Sequence, residues 1–277
     1  MELTAAFVER EYNNRALVPE HPDYFARWER DSGFVRATLP GALDLAYGPD
    51  PRQRIDLFPA RTGSPNLLVF IHGGYWRSLD KRFFSWLAPS WVAADVSTAF
   101  IGYRLCPQVR IPDIVDDVLA ATNWLFAHGG EHGVGTARVV VSGHSAGGHL
   151  TGALFAAPRE ALAFDIERIA GGVPISGIFD FEPLPFFSGN AELRLDRDSA
   201  RSLALHDKAT TIAAPLVVAV GGRESDEFKR QSQLIADAWK PQVREHLVLP
   251  DLNHFSVVDA FAERGNPLYE GTLALFK

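Results

Sequence analysis

Short apolar runs that end in glycine constrain the fold of this 277-residue chain more than any other feature. Three of them read "NLLVFIHGG" (66–74), "RVVVSG" (138–143) and "APLVVAVGG" (214–222). Apolar, β-branched runs of this length indicate strands buried on both faces of a sheet. Segments with apolar residues at helical spacing lie between them, notably at 111–129 and 225–240. Strands that alternate with helices predict an α/β fold with a mostly parallel sheet and helices on both faces.

Two segments depart from this alternation. "LDLAYG" and "QRIDLFP", which follow one another before residue 60, predict an antiparallel pair that opens the sheet. Residues 1–40 are polar and aromatic, with weak helical periodicity between Pro22 and Gly33. We therefore expect one domain over residues 1–277, in which the first 40 residues lie outside the alternating core and partly cap the site.

The stretch "SGHSAGG" (142–148) places a serine between glycines in the pattern G-x-S-x-G. The pattern is loose, but a buried strand precedes it and a small, apolar helical segment follows it. Strand, sharp turn and helix form the context of a nucleophile elbow. Gly143 and Gly147 allow a strained turn to close around Ser145. The sequence therefore predicts Ser145 as a catalytic nucleophile.

A serine nucleophile needs a base, which in this architecture is a histidine that follows the acid along the chain. Four histidines follow Ser145, namely His149, His206, His246 and His254. His254 lies in the loop "LPDLNHFSVV", directly after the last predicted strand, where the base belongs. The other three lie on the helix after the elbow, in a polar stretch and at the start of a strand. His254 is the predicted base.

The acid that orients the base is expected after the strand 214–222, where the loop reads "GGRESDEF". Glu224 is the first carboxylate there and is our choice. Asp226 and Glu227 are better placed in the first turn of the next helix, where they complement its dipole. Asp180, in "SGIFD" one strand earlier, is the alternative, whereas Asp251 is too close in sequence to the histidine.

Acyl transfer also requires donors for the developing oxyanion. "HGGYW" (72–76) follows a buried strand, as HGGG-type loops do. The backbone N–H groups of Gly73, Gly74 and Ala146 are the predicted oxyanion hole. His72 is expected to support this loop by hydrogen bonding and to transfer no proton.

Aromatic side chains next to these motifs are candidate walls of a substrate pocket. They are Tyr75, Trp76 and Phe179. Aromatic residues more often serve only as packing, so this assignment depends on where the fold places them.

Composition excludes several classes of function. The chain has 27 basic and 34 acidic residues, a net charge of −7, and no basic run, which argues against nucleic acid or an anionic membrane as partner. The charged N-terminus differs from a secretory signal, and no apolar stretch reaches the roughly 20 residues of a membrane span. We expect a cytoplasmic protein with a small-molecule substrate, no metal and no organic cofactor; a homodimer is left open.

Taken together, these motifs resemble the α/β-hydrolase superfamily, whose sheet is of an eight-stranded type. More narrowly, the chain resembles kynurenine formamidases (arylformamidases) and their esterase-like bacterial relatives. The strings that carry the narrower resemblance are "EYNNRALVPEHP", "HGGYW", "GHSAGGHL", "ISGIFDFEPL", "ELRLD", "ESDEFKRQS" and "NHF". The animal and yeast enzymes carry aspartate where this chain has Glu224, which suggests a bacterial-type branch.

The resemblance implies a serine hydrolase that forms an acyl-enzyme and acts on N-formylkynurenine or a similar aryl formamide. A carboxylesterase of small or aryl esters needs the same triad and is the alternative. A non-catalytic binding protein on this fold is disfavoured, because such proteins usually lose the serine or the histidine and both are present.

Overall fold

A central β-sheet organises the computed structural model of the chain, which describes residues 3–277. The described residues form eight strands: β1 Ala42–Ala46, β2 Arg54–Phe58, β3 Asn66–Ile71, β4 Ser97–Ile101, β5 Arg138–His144, β6 Ile169–Ile175, β7 Leu216–Gly221 and β8 Val243–Leu249. Their order in space is β1-β2-β4-β3-β5-β6-β7-β8. Strand β2 pairs antiparallel with β1 and β4, and every other pair is parallel. The predicted α/β class, the mostly parallel eight-stranded sheet and the antiparallel opening pair are confirmed.

Helices cover both faces of this sheet. The α-helices of the described residues are α1 Ala5–Tyr12, α2 Asn14–Leu17, α3 His21–Thr38, α4 Ala88–Val92, α5 Ile111–His128, α6 Ala146–Phe155, α7 Asn190–Leu193, α8 Arg197–Leu203, α9 Asp226–Ala238, α10 Val257–Ala260 and α11 Pro267–Ala274. Successive residues of β3 point to opposite faces, so Val69 packs in the core layer beneath α5 and α6, and Phe70 in the layer beneath α3 and α11. The strands are therefore buried on both faces, as their apolar sequences predict.

The two predicted helices of the core match α5 and α9 closely. Helix α5 begins with Pro112 in its first turn and ends before Gly129. Helix α9 is capped by Ser225, whose hydroxyl accepts a hydrogen bond from the N–H of Phe228. Asp226 and Glu227 form its first turn, as expected.

The N-terminal helix is longer than its weak periodicity predicts. Helix α3 continues through Gly33 to Thr38. Its side chains Trp28 and Val35 are buried in the core layer, and the Ser32 hydroxyl accepts a hydrogen bond from the N–H of Trp86. Tertiary burial thus offsets the low helix propensity of glycine, which a sequence window does not detect.

Between residues 3 and 277, no helix is both long enough and apolar enough to cross a lipid bilayer.

Candidate active site

Ser145 lies at the sharp turn between β5 and α6. Its backbone has φ 56° and ψ −116°, a region that non-glycine residues rarely adopt, and its N–H donates to the carbonyl of Ile175 at 2.8 Å. A Cβ on Gly147 would lie 2.0 Å from the oxygen of Ile71, and one on Gly143 would lie 2.2 Å from the oxygen of Gly147. The two glycines are therefore required for the turn to form, and the turn presents the serine side chain at the carboxyl end of the sheet.

His254 and Glu224 form a buried hydrogen-bonded pair. The Nδ1 atom of His254 lies 2.6 Å from Oε2 of Glu224. Because an ionised carboxylate only accepts, the proton of a neutral His254 belongs on Nδ1, which leaves Nε2 free to accept a proton. The other carboxylate oxygen, Oε1, accepts from the Ser176 hydroxyl at 2.5 Å and from the Gly221 N–H at 2.7 Å. These two donors fix the carboxylate against the histidine.

Asp180, the alternative acid, lies in a different environment. Its carboxylate accepts a hydrogen bond from Nη2 of Arg230 at 3.0 Å, and its N–H donates to the side chain of Gln231. Among the described residues, Asp180 forms no hydrogen bond with His254. The structure therefore brings Glu224 to the histidine and places Asp180 in an ion pair on the α9 side.

The loop 72–76 passes directly over the nucleophile. A Cβ on Gly73 would lie 2.8 Å from the oxygen of His144 and 3.1 Å from the Cβ of Ser145. Gly74 has φ +112°, and a Cβ there would lie 2.2 Å from the oxygen of Ser78. Only glycine at position 73 permits this close approach of the backbone to Ser145, and only glycine at position 74 fits against Ser78.

His72 supports the loop from below. Its Nδ1 lies 2.7 Å from the carbonyl oxygen of Gly73, and its ring stacks on Tyr103 with centroids 4.1 Å apart. The Tyr103 hydroxyl donates to the carbonyl of His72 at 2.8 Å. Burial lowers the pKa of His72 to about 4, so the ring is neutral near pH 7 and Nδ1–H donates. The expectation that His72 holds the loop by hydrogen bonding is confirmed.

His144, the residue before the serine, connects the elbow to the histidine loop. Its Nε2 lies 2.7 Å from the carbonyl oxygen of His254. Burial, followed by the proximity of His254, holds the pKa of His144 well below its usual range, so Nε2–H donates as a neutral imidazole. Sequence reasoning missed this role; the position between Gly143 and the nucleophile was the available signal.

A cavity opens above the serine and the histidine. Its empty space, including the part open to solvent, is about 530 Å³. Its lining residues are Asn13, Asn14, Arg15, Phe25, Trp28, Gly74, Tyr75, Arg77, Ser78, Leu79, His144, Ser145, Phe187, His254 and Phe255. Ser145 and His254 therefore face one space that is walled largely by aromatic rings.

Only one of the three predicted pocket aromatics lines this cavity. Tyr75 does so, stacked on Phe187 with ring centroids 4.9 Å apart. Trp76 is fully buried, with its ring 5.3 Å from that of Phe181. Phe179 is also fully buried and is absent from the lining. The prediction for Trp76 and Phe179 therefore does not match their placement. The backbone has positive φ at positions 75 and 76, and the indole of Trp76 lies in the core.

One further wall of the cavity comes from the N-terminal segment (residues 3–40), which sequence reasoning did not resolve into individual site residues. The predicted cap also included residues 1 and 2, which lie outside the described residues. The Tyr12 hydroxyl donates to Glu227 at 2.8 Å and accepts from Gln231 at 2.9 Å, and the Tyr75 hydroxyl donates to the carbonyl of Tyr12. These contacts attach the segment to α9 and to the loop 72–76, and they place α2 and α3 against the cavity.

Within residues 3–277, no group of three or more histidine, cysteine, aspartate or glutamate side chains is arranged to hold a metal ion.

Comparison with known proteins agrees with the fold. The family model of the alpha/beta hydrolase fold matches residues 68–237, more than half of the chain. The chain belongs to the α/β-hydrolase fold family and is an enzyme of that type. Within the family, it is similar to the kynurenine formamidase of Danio rerio, with 23% identity over 83% of this chain and 80% of that protein.

Esterase-type relatives are also similar. Esterase LipI of Mycobacterium tuberculosis is 27% identical over 75% of this chain and 72% of its own length. The crystal structure of a candidate thioesterase from Silicibacter sp. superposes with a TM-score of 0.86 and 31% identity, covering 100% of this chain and 99% of that one. Relatives that resemble this chain thus carry names of both amide-cleaving and ester-cleaving hydrolases.

Proposed function

We propose that Ser145, His254 and Glu224 form the catalytic triad of a serine hydrolase. The observation that carries this proposal is the 2.6 Å contact between His254 and Glu224, on the same cavity that Ser145 lines. In this mechanism, Nε2 of His254 takes the proton of the Ser145 hydroxyl as its oxygen attacks an acyl carbon. Glu224 keeps the imidazole in the correct tautomer and stabilises the imidazolium that forms.

The tetrahedral intermediate carries its negative charge on the former carbonyl oxygen. We assign its stabilisation to the backbone N–H groups of Gly73, Gly74 and Ala146, each worth roughly 3–4 kcal/mol in the transition state. His254 then returns the proton to the leaving group, which departs and leaves an ester on Ser145. Water, deprotonated by the same histidine, hydrolyses this acyl-enzyme and restores the free serine.

For the substrate, we propose N-formylkynurenine or a similar aryl formamide. The formyl group is the smallest acyl group, and the leaving group is an aromatic amine. The aromatic walls of the cavity, which are Phe25, Trp28, Tyr75, Phe187 and Phe255, suit such a leaving group. The similarity to kynurenine formamidase over four fifths of both chains supports this choice.

A carboxylesterase of small or aryl esters is the second candidate. It requires the same triad and the same oxyanion donors, and the similarity to Esterase LipI favours it. The two functions differ in the acyl group that is transferred and in the leaving group, which is an arylamine for the formamide and an alcohol or phenol for the ester.

We further propose that the chain acts as one domain on a small-molecule substrate, and that the N-terminal segment caps its site. The five lining residues contributed by that segment support the cap: Asn13, Asn14, Arg15, Phe25 and Trp28. The Phe25→Ala variant should raise KM for the aryl substrate several-fold with a smaller change in kcat. An unchanged KM in a folded Phe25→Ala protein would contradict the cap.

The deciding experiment compares kcat/KM for N-formylkynurenine and for 4-nitrophenyl acetate, with Ser145→Ala as the control for background hydrolysis. A strong preference for the formamide, abolished in the variant, is the expected result. Turnover of the ester alone, also abolished in the variant, would replace the formamidase by an esterase and leave the triad in place.

A further inference from the structure

The end of strand β6 contacts both the nucleophile elbow and the acid loop. The carbonyl oxygen of Ile175, the last residue of β6, accepts the N–H of Ser145 at 2.8 Å. The next residue, Ser176, donates its hydroxyl to Oε1 of Glu224 at 2.5 Å. The Ser176 N–H donates to the carbonyl of Ala219 on β7 at 2.8 Å. Two consecutive residues therefore connect the serine at the elbow to the carboxylate beside the histidine.

The backbone of Ser176 is strained. Its φ is 50°, in the left-handed region that glycine adopts freely and residues with a side chain rarely adopt. Strain of this kind persists where the surrounding structure enforces it, and it is concentrated at functional sites. A serine stands here at a position that favours glycine, and this points to a use for its hydroxyl.

The hydroxyl of Ser176 and the carboxylate of Glu224 are buried together. Neither side chain has solvent-exposed surface, and Glu224 is the only hydrogen-bond partner of the Ser176 hydroxyl among residues 3–277. A hydrogen bond to a charged group is stronger than one between neutral groups. In this buried place, water cannot replace the donor if the hydroxyl is removed.

We propose that Ser176 is a positioning residue for the acid of the triad. The last side-chain torsion of a glutamate has no sharp minimum, so contacts must fix the rotation of the carboxylate. The Ser176 hydroxyl and the Gly221 N–H hold Oε1, which directs Oε2 of Glu224 to Nδ1 of His254. This inference rests on the proposed function in one respect, namely that Glu224 is the acid of a catalytic triad.

The first experiment is the Ser176→Ala variant, which removes the donor and little volume. Ser176 does not line the cavity, so its loss should affect kcat and leave KM within about twofold. With 4-nitrophenyl acetate, and with N-formylkynurenine in parallel, kcat should fall at least about tenfold, a factor that one hydrogen bond to a charged group supports. A kcat within about twofold of wild type on the substrate that is turned over would overturn the proposal.

The matched control is Ser97→Ala, at the amino end of β4. This serine is also fully buried, and its hydroxyl accepts a hydrogen bond from the N–H of Ala60 at 2.9 Å. Its loss removes a buried hydroxyl far from the strand ends that carry the site, so kcat should stay within about twofold of wild type. An equal loss of kcat in both variants would show a general effect of buried hydroxyls and overturn the specific role.

Ser176→Gly separates positioning from stability. Glycine also lacks the hydroxyl but relieves the strain at positive φ, so this variant should unfold at a higher urea concentration than Ser176→Ala. A positioning role predicts the same loss of kcat in both variants. If kcat recovered together with stability in Ser176→Gly, the residue would act only on the fold and the proposal would fail.

A double-mutant cycle with Glu224 tests the route by which Ser176 acts. In the Glu224→Ala background, Ser176→Ala should change kcat less than about twofold, because the hydroxyl has lost the group that it positions. The rate of covalent inactivation by diethyl 4-nitrophenyl phosphate gives the same cycle without depending on the acyl group that the site prefers. Additive effects of the two substitutions would overturn the proposal.

The same cycle separates this inference from the proposed function. Wild-type activity in Glu224→Ala would refute the triad acid, and the role of Ser176 with it. A large loss in Glu224→Ala, together with unchanged activity in Ser176→Ala, would refute the role of Ser176 and keep the triad.

Discussion

The two sides of the cavity are built in different ways. The strand-end side consists of the loops after β3, β5, β7 and β8, where backbone atoms approach one another so closely that glycine is required at Gly73, Gly143 and Gly147. The opposite side is the N-terminal segment, which is attached through side-chain hydrogen bonds and aromatic packing, such as Tyr12 to Glu227. Fixed backbone is suited to chemistry, which tolerates little displacement, and side-chain contacts are suited to selecting a ligand.

The largest expected effect is a loss of kcat when the strand-end side is changed. Ser145→Ala should reduce kcat by at least about 10⁴-fold, because no other nucleophile replaces the hydroxyl. Near-wild-type thermal unfolding of this variant would show that the loss is chemical. Residual activity above one hundredth of wild type would mean that another residue attacks the substrate.

The second test compares two carboxylates, Glu224 on the strand-end side and Asp180, which lies outside the cavity lining. Glu224→Ala should lower kcat by about 10³- to 10⁴-fold, because His254 loses the partner that fixes its tautomer. Asp180→Ala removes an ion pair with Arg230 that holds the α9 side and should change kcat less than about threefold. Steady-state kinetics at one pH distinguish the two, and the reverse pattern would move the acid to Asp180.

A pair of glycines provides the third test. Gly147→Ala places a methyl group 2.0 Å from the backbone oxygen of Ile71 and should cost more than about 3 kcal/mol of unfolding free energy. Gly33→Ala, inside α3 of the N-terminal segment, meets nothing within 4 Å and should stabilise by about 0.5–1 kcal/mol. Urea unfolding measures both. A stabilising Gly147→Ala would show that the elbow backbone is not as crowded as described.

The fourth test is a pH dependence of stability that originates beneath the strand-end side. Burial lowers the pKa of His149 on α6 to about 3. Its ordinary value is about 6.5, so below that pH the unfolded chain binds a proton that the folded protein excludes, and stability falls as pH falls. His149→Gln should reduce the loss of unfolding free energy between pH 7 and pH 5 by about 2 kcal/mol.

The measurement for His149→Gln is the unfolding free energy at each pH, with the difference taken within each protein. Packing changes affect both values equally, so only titration changes the difference. An unaltered difference would mean that the His149 ring does not exclude protons in the folded state.

Sequence alone was sufficient for the strand-end side because its signals are local. Each predicted triad residue lies in the turn or loop that follows a strand, and parallel strands bring their carboxyl ends to one edge of the sheet. The order of serine, acid and histidine along the chain therefore led to Ser145 and His254, which line one cavity, and to Glu224, which contacts His254. Glu224 was preferred to Asp180 on position alone, and the structure places it against His254.

The opposite side could not be predicted in the same way. Asn14 and Arg15 approach the serine only because a long-range contact docks α1 on α9, more than 200 positions away in sequence. Ser176, which holds Glu224, is likewise distant along the chain. The prediction for Trp76 was wrong for a local reason, because its backbone has a positive φ. No residue type in "HGGYW" indicates this conformation before the fold is known.

The Tyr75 hydroxyl donates to a backbone carbonyl at position 12, and every amino acid carries that carbonyl. This attachment of the N-terminal segment therefore does not depend on which side chain occupies the position. Mutations can replace the side chains that the segment presents to the ligand while this anchor to the loop 72–76 persists. Substrate preference can in this way diverge during evolution, through changes in a short stretch of chain, while the machinery that cleaves the bond is inherited unaltered.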